Sequence, residues 1–431
     1  MRTVRLFKLL SSRHKVVLKF TRTRAVFAAL ATLLIVLFGV ERIALYELSP
    51  ADPASSPTCI LKDDVVPAAW SYFRPAWKET ALLSPFTLQS SSTNRFPGSA
   101  VGLSNFINDP KERIEKDFRI NSSLEHQVLF WMAVYTGYSS HMRIVHDRND
   151  LSIVYGFIDL RSLYRSIPPS EFLEKKIDDI EQGILKELRS RLTEAGGLAK
   201  NEILPAQEKA EVQAFLSRIG SLRPKDIRNL ISSLRTQSGQ NDMFMMALYR
   251  SKSLLPFMET VFRKQGLPTG LARIPFVESS FNINALSKAG AAGIWQFTPE
   301  TAREWLPTAQ PAVWTDPVVQ TQGAARLLKL YRSILPDWGS AITSYNSGIG
   351  RVRRLIQKYQ ALSVEELVRN SITDPEGLGF AGRNFYAEFL AANLVEAYKE
   401  DIFKPWPIPM DLFLVFRGIT PFPEAACSIK G

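Results

Sequence analysis

The sequence is poor in residues that bind metals. Two cysteines, Cys59 and Cys427, and four histidines, His14, His126, His141 and His146, are all that 431 residues contain. None of them falls into H-E-x-x-H or C-x-x-C spacing, so no metal site and no cofactor is expected. Acid is missing from the start of the chain, where residues 1–24 carry eight Lys/Arg and no Asp or Glu. Without those eight the formal net charge of +11 falls to +3, too little for a nucleic-acid footprint on the remainder. No repeat of solenoid length is present either.

Next to the basic start lies an uncharged run of sixteen residues, Ala25 to Val40, with Arg24 and Arg42 placed to snorkel at its ends. The lopsided positive charge places the N-terminus in the cytoplasm and everything after the run outside. "ERIALYELSP" offers no small-x-small cleavage site, so the reading is an uncleaved single-span anchor in the inner membrane with the rest in the periplasm. Both cysteines then lie on the oxidising side, where one Cys59–Cys427 disulfide and two free thiols are the alternatives.

Organisation along the chain comes from composition and period. Residues 1–48 are the basic segment and anchor, and 49–95 a Pro/Ser-rich tether interrupted by the aromatic patch "WSYFRPAW". Residues 96–250 read as a small α+β and helical module. "MRIVHDRNDLSIVYGFIDL" is a hairpin signal, "HQVLFWMAVYTGY" a helix to pack on it, and Phe172, Ile177, Ile180, Ile184 and Leu188 an apolar helical stripe. Residues 251–400 are a second, helical domain and 401–431 a tail. The fold class expected is mainly α.

One carboxylate stands out. Glu278 follows Leu271, Ile274, Phe276 and Val277, with Pro275 three residues before it, so it sits in an apolar helix start or kink. After it come Gly290-Ala291-Ala292-Gly293, which let backbone approach closely, and Trp295-Gln296-Phe297, flat rings and an amide suited to sugar rings and their substituents. Thr298-Pro299-Glu300 and Asp316-Pro317 open helices. "AITSYNSGIGRV" ends another helix on Tyr345 and Asn346. Glycoside cleavage usually employs two carboxyl groups, and this region shows only one outside helix caps.

These residues resemble the lytic transglycosylases with a soluble-lytic-transglycosylase catalytic domain, in their membrane-bound D-like branch. The resemblance rests on Glu278-Ser279 with Phe281; on Ser287, Gly290, Ala291, Gly293, Ile294, Trp295 and Gln296; and on Ala341, Tyr345, Asn346, Ser347, Gly348, Gly350 and Val352. It covers roughly residues 254–397. It implies a lysozyme-like helical fold, peptidoglycan glycan strands as substrate, and Glu278 as acid and then base in forming 1,6-anhydromuramic ends. It also implies that Gln296, Tyr345 and Asn346 hold hydroxyl and acetamido groups, that Ser287 and Tyr386 orient the acid or the acetamido group, and that Phe281 and Trp295 are wall and core. Two positions depart from the family: Ser344 precedes Tyr-Asn in place of a small apolar residue, and Phe385 aligns with the late tyrosine, leaving Tyr386 as its stand-in. A hydrolytic muramidase on the same fold and a non-catalytic glycan-binding envelope protein are the alternatives.

Overall fold

In the computed structural model the described residues are 69–76, 102–199, 201, 203–220, 223–307 and 314–403. The expected anchor, both cysteines and nearly all of the tail lie outside them. Among the described residues no helix is long and apolar enough to cross a membrane.

A four-stranded antiparallel sheet stands first. Its strands are β1 (Phe73–Pro75), β2 (Met142–Asp147), β3 (Val154–Asp159) and β4 (Leu234–Ser238), in spatial order β1-β3-β2-β4. The β2–β3 hairpin pairs Met142 with Asp159, as its alternating β-branched residues predict. β1 comes from the aromatic patch of the expected tether. Phe73 is buried and pairs with Ile158, and the Trp70 ring packs under the Arg191 guanidinium at 4.1 Å. That patch closes one edge of the sheet.

Helices α1 (Glu125–Thr136), α2 (Arg161–Ser166), α3 (Glu171–Ala195), α4 (Ala206–Arg218) and α5 (Pro224–Ser233) surround the sheet. In α3 the buried stripe is Leu173, Ile177, Ile180, Ile184, Leu188 and Leu192. Phe172, expected in that stripe, is 63% exposed, because it sits one residue off the three-to-four spacing that Leu173 satisfies. α1 is buried from Val128 to Thr136. It touches the hairpin through Phe130 and His146, 4.8 Å apart, and packs heavily on the late helix that carries Phe385.

The remaining helices are α6 (Asn241–Lys264), α7 (Ile274–Glu278), α8 (Pro299–Trp305), α9 (Pro317–Ile334), α10 (Trp338–Ser347), α11 (Ile349–Tyr359), α12 (Val364–Ser371), α13 (Phe380–Ala397) and α14 (Lys399–Ile402). Thr298 and Asp316 cap α8 and α9 through their side-chain oxygens, as their Thr-Pro and Asp-Pro pairs predict. α6 runs unbroken through positions 250 and 251. Among the described residues a large hydrophobic core extends from Phe73 in the sheet to Phe403 after α14, and a smaller one gathers Leu335, Ala341, Val352, Leu355 and Leu367.

Two polar clusters fix where α7 begins. Glu115 accepts hydrogen bonds from the Thr269 and Gly270 amides at 3.0 and 3.1 Å, closing the 3₁₀ turn before the helix. Arg273 then bridges Glu259 of α6 at 2.5 Å and Glu396 of α13 at 3.0 Å. Its guanidinium is mostly buried, and two carboxylates offset the desolvation of one cation.

Candidate active site

α7 is only five residues long and delivers Glu278 at its C-terminal end. Ile274, Pro275 and Phe276 are buried beneath it, while Glu278 itself is half-buried and densely surrounded. Burial pushes its carboxyl from the ordinary 4.5 up to about 8, because the low-dielectric surroundings penalise the charged form. No cation figures among the influences on it, so the group is held protonated at neutral pH.

The backbone just after the acid is strained. Ser280 and Phe281 have φ of 51° and 54°, and Gln296 has 50°, the left-handed region that non-glycine residues seldom occupy. Such positions persist only where the surroundings hold them. Here Arg250 of α6 donates to the Ser280 carbonyl at 3.1 Å, and the Ser279 hydroxyl donates to the Ile294 carbonyl at 2.9 Å. The second bond ties the acid-bearing turn to the glycine-rich loop.

That loop is a compact frame. Its Ser287 amide donates to the Ala291 carbonyl at 2.8 Å, and the Ser287 hydroxyl accepts from the Ala291 amide at 3.0 Å. Gly293 has φ of 76°, and a Cβ there would collide with the Gln320 side-chain amide. Gln320, fully buried on α9, accepts from the Trp295 amide at 3.1 Å and donates to the carbonyls of Ala292, at 2.8 Å, and Trp314. Sequence reasoning did not single out Gln320. Its only signal is a polar residue on a helix face that is otherwise apolar.

The structure places Trp295 in the core, as expected, and corrects the reading of Phe297 as a surface for sugars. Trp295 is fully buried, its indole N–H donating to Thr321 at 3.0 Å, and Phe297 is 3% exposed. Both are core, so neither presents a face to a sugar. Phe281 is buried in the same way, 4.6 Å from Phe276. Gln296 stays half-buried, its amide N–H donating to the Gly293 carbonyl at 2.8 Å and so leaving its oxygen the freer end.

α10 brings the next two expected residues. The Tyr345 hydroxyl donates to the Trp295 carbonyl at 2.7 Å, and its pKa is driven well above the ordinary 10 by burial and by the Glu278 charge. It therefore lies beside the acid. Asn346, next along, is exposed. Tyr386 is not brought into this group. It is buried, stacked on Phe389 with centroids 6.2 Å apart, and packed over Gly339, and the charges that act on its hydroxyl are Asp337, Glu365 and Asp117. That is the opposite end of α10 from Tyr345, about 9 Å along the axis from Gly339. Phe385 is buried as well.

One acid that the sequence did not reveal is Glu388. Every residue of α13 from Gly382 to Glu396 is buried except this one, which is half-buried. α13 packs on α7 there, and the Glu388 carboxyl is pushed up to about 8, first by burial and then by the Glu278 charge. Tyr135 of α1 completes the group from a third element, its phenol raised by burial and by Glu388. The two carboxyls thus lie near enough for their charges to interact, with the Tyr345 phenol within reach of Glu278 and the Tyr135 phenol within reach of Glu388. The faint sequence signal for Glu388 is a lone acid inside "NFYAEFLAANLV", where a wholly apolar face leaves no reason for it.

A family model described as Transglycosylase SLT domain matches residues 257–368. That stretch is similar to a Transglycosylase SLT domain. A relative named membrane-bound lytic murein transglycosylase D, from Escherichia coli (strain K12), is 32% identical over 131 residues, which are 30% of this chain and 28% of the relative. A putative tributyltin chloride resistance protein from Alteromonas sp. (strain M-1) is 35% identical over 112 residues, 25% of this chain and 53% of the relative. The chain thus spans between about a quarter and about half the length of these curated relatives. The SLT match contains Glu278, Ser287, Gln296, Tyr345 and Asn346. Tyr386 and Glu388 lie beyond its end, on α13.

Proposed function

We propose that the SLT domain cleaves the β-1,4 bond between N-acetylmuramic acid and N-acetylglucosamine in peptidoglycan without water. The observation that carries this reading is the half-buried Glu278 carboxyl, kept protonated by burial with no compensating cation; in this reading the glycan cleft runs over it. Its proton goes to the glycosidic oxygen as the C1–O bond breaks, with the electron pair leaving on that oxygen. The 2-acetamido group shields the positive C1. Glu278, now a carboxylate, takes the proton from the 6-hydroxyl of the same muramic ring, and O6 closes on C1. The acid is regenerated and the product ends in 1,6-anhydromuramic acid.

Gln296, Asn346 and Tyr345 bind the hydroxyl and acetamido groups, and Ser287 acts through the loop it closes. Tyr386 contributes through packing at the start of α10. Residues 251–400 are the catalytic segment, and the N-terminal run is an inner-membrane anchor that leaves this segment in the periplasm. The word "membrane-bound" in the relative's name supports that placement.

Glu388 favours a second reading. Hydrolysis needs a second carboxyl to activate water, and Glu388 stands beside Glu278. The two share charge as a pair, so one ionised and one protonated partner is an available state. Mass spectrometry of products released from peptidoglycan by the full chain separates the readings. Anhydromuropeptides that disappear with Glu278→Gln support transglycosylation, and reducing muramic ends that disappear with Glu388→Gln support hydrolysis. Release of either product by Glu278→Gln would remove this residue from the chemistry.

A further inference from the structure

Three arginines from three elements converge where the sheet meets α13. Arg148 leaves the end of β2, its amide donating to the Ser233 carbonyl at 2.8 Å. Arg235 lies on β4, in register with His146, and its guanidinium sits 4.1 Å over the Phe380 ring. Arg383, in the first turn of α13, is buried and donates to the Arg148 carbonyl at 3.2 Å and to the Asn149 side-chain oxygen at 3.3 Å.

None of the three makes an ion pair with a carboxylate among the described residues. The nearest acid, Asp147, is engaged by the Asn149 and Asp150 amides, at 2.7 and 3.0 Å, and by the Ser233 hydroxyl. Arg148 depresses the pKa of both Arg235 and Arg383, adding to the larger effect of their burial, as like charges in proximity do. The Arg383 Nε is buried without a partner, and so is the Nε2 of His146, whose ring is 5.7 Å from Phe380. Burial lowers the His146 pKa to about 4, so it stays neutral and adds no cation. The Asp147 charge offsets part of this at Arg383, and the cluster keeps more positive charge than the one carboxylate acting on it can balance.

Its position links it to the cleft. Gly382, next to Arg383, lies so close to the Ser347 hydroxyl that a Cβ could not fit, and Ser347 directly follows Asn346. Glu388 is about 7.5 Å further along the α13 axis from Arg383. Only the muramic sugars of the glycan carry acidic peptide stems, so an anion site beside the cleft would meet those stems and not the neutral sugar.

We infer that Arg148, Arg235 and Arg383 form an anion site that holds a carboxylate of the peptide stem on the substrate strand. The inference rests on peptidoglycan being the substrate. Arg148 and Arg235 are exposed and face the ligand, the second pre-oriented by Phe380, and Arg383 backs them from the interior. The sheet and the early helices thereby gain a role in substrate selection.

The test uses the full chain, the Arg148→Ala/Arg235→Ala variant and two measurements. Calorimetry with an acidic stem peptide, and with the same peptide amidated at its carboxyls, reads the site directly. Wild type is expected to bind the acidic form about tenfold tighter than the amidated form or than the variant binds it, with the difference shrinking at high salt. Release of anhydro products is then compared on intact peptidoglycan and on glycan stripped of stems. The variant is expected to lose about tenfold in kcat/KM through KM on the intact substrate, and nothing on stripped glycan. Equal peptide binding by wild type and variant overturns the anion site whatever the turnover. Lost peptide binding with no glycan product from any protein leaves the site standing and overturns the cleavage reading.

Discussion

Changing Glu278 to glutamine keeps the shape of the side chain and removes its ionisation, so the stability of that variant reports the cost of burying the acid. In the unfolded chain the carboxyl ionises around its ordinary 4.5, and in the fold burial raises this to about 8. The folded protein must therefore take up a proton between those values. The penalty is absent below pH 4.5, grows by about 1.4 kcal/mol per pH unit above it, and levels off above pH 8. At pH 7 it amounts to about 3 kcal/mol, and because the side chain is only half-buried, solvent screening reduces the expected figure to about half of that. Glu278→Gln escapes the penalty. It is expected to melt about 3–6 °C higher than wild type at pH 7, given roughly 2–4 °C per kcal/mol for a body of this size, and no higher near pH 4.5. Thermal unfolding by calorimetry across that range is the assay. A difference independent of pH, or a variant no more stable than wild type above pH 8, refutes the reasoning.

The same geometry carries other expectations. Cleavage by wild type falls as pH rises through about 8, because the acid form of Glu278 is lost; a pH–rate profile of kcat/KM checks this. Glu388→Gln is expected to leave the alkaline limb of that profile in place, because burial raises Glu278 while its charge acts on Glu388, and a limb that moved to lower pH would overturn this order. Gln320→Ala breaks the bonds to Trp295, Ala292 and Trp314 and leaves buried backbone groups unpaired. Denaturant unfolding is expected to show a loss of about 2–4 kcal/mol, with a larger drop in kcat than in folded fraction as the loop loosens.

Much of the architecture was legible because its determinants are local. Thr298-Pro299 and Asp316-Pro317 state their helix starts outright, since a capping oxygen and a preset proline φ act within three residues. The β2–β3 hairpin and the α3 stripe reflect periods of two and of three to four. Where a local rule failed, burial explains it: Phe297 has the chemistry to stack on sugars, but the fold places it in its core.

By itself the sequence determined the mainly helical class, the position of Glu278 in its apolar run and the loop of small residues behind it. Only the tertiary structure decided that Glu388, more than a hundred residues later, would come within reach of the Glu278 charge, and that Tyr386 would face the opposite end of α10. It also placed the aromatic patch at residues 69–76 on the edge of the sheet. A helix period says which residues share a face, but which other face they meet depends on how α1, α7, α10 and α13 pack together. That packing is a property of the whole core, and no short stretch of sequence contains it.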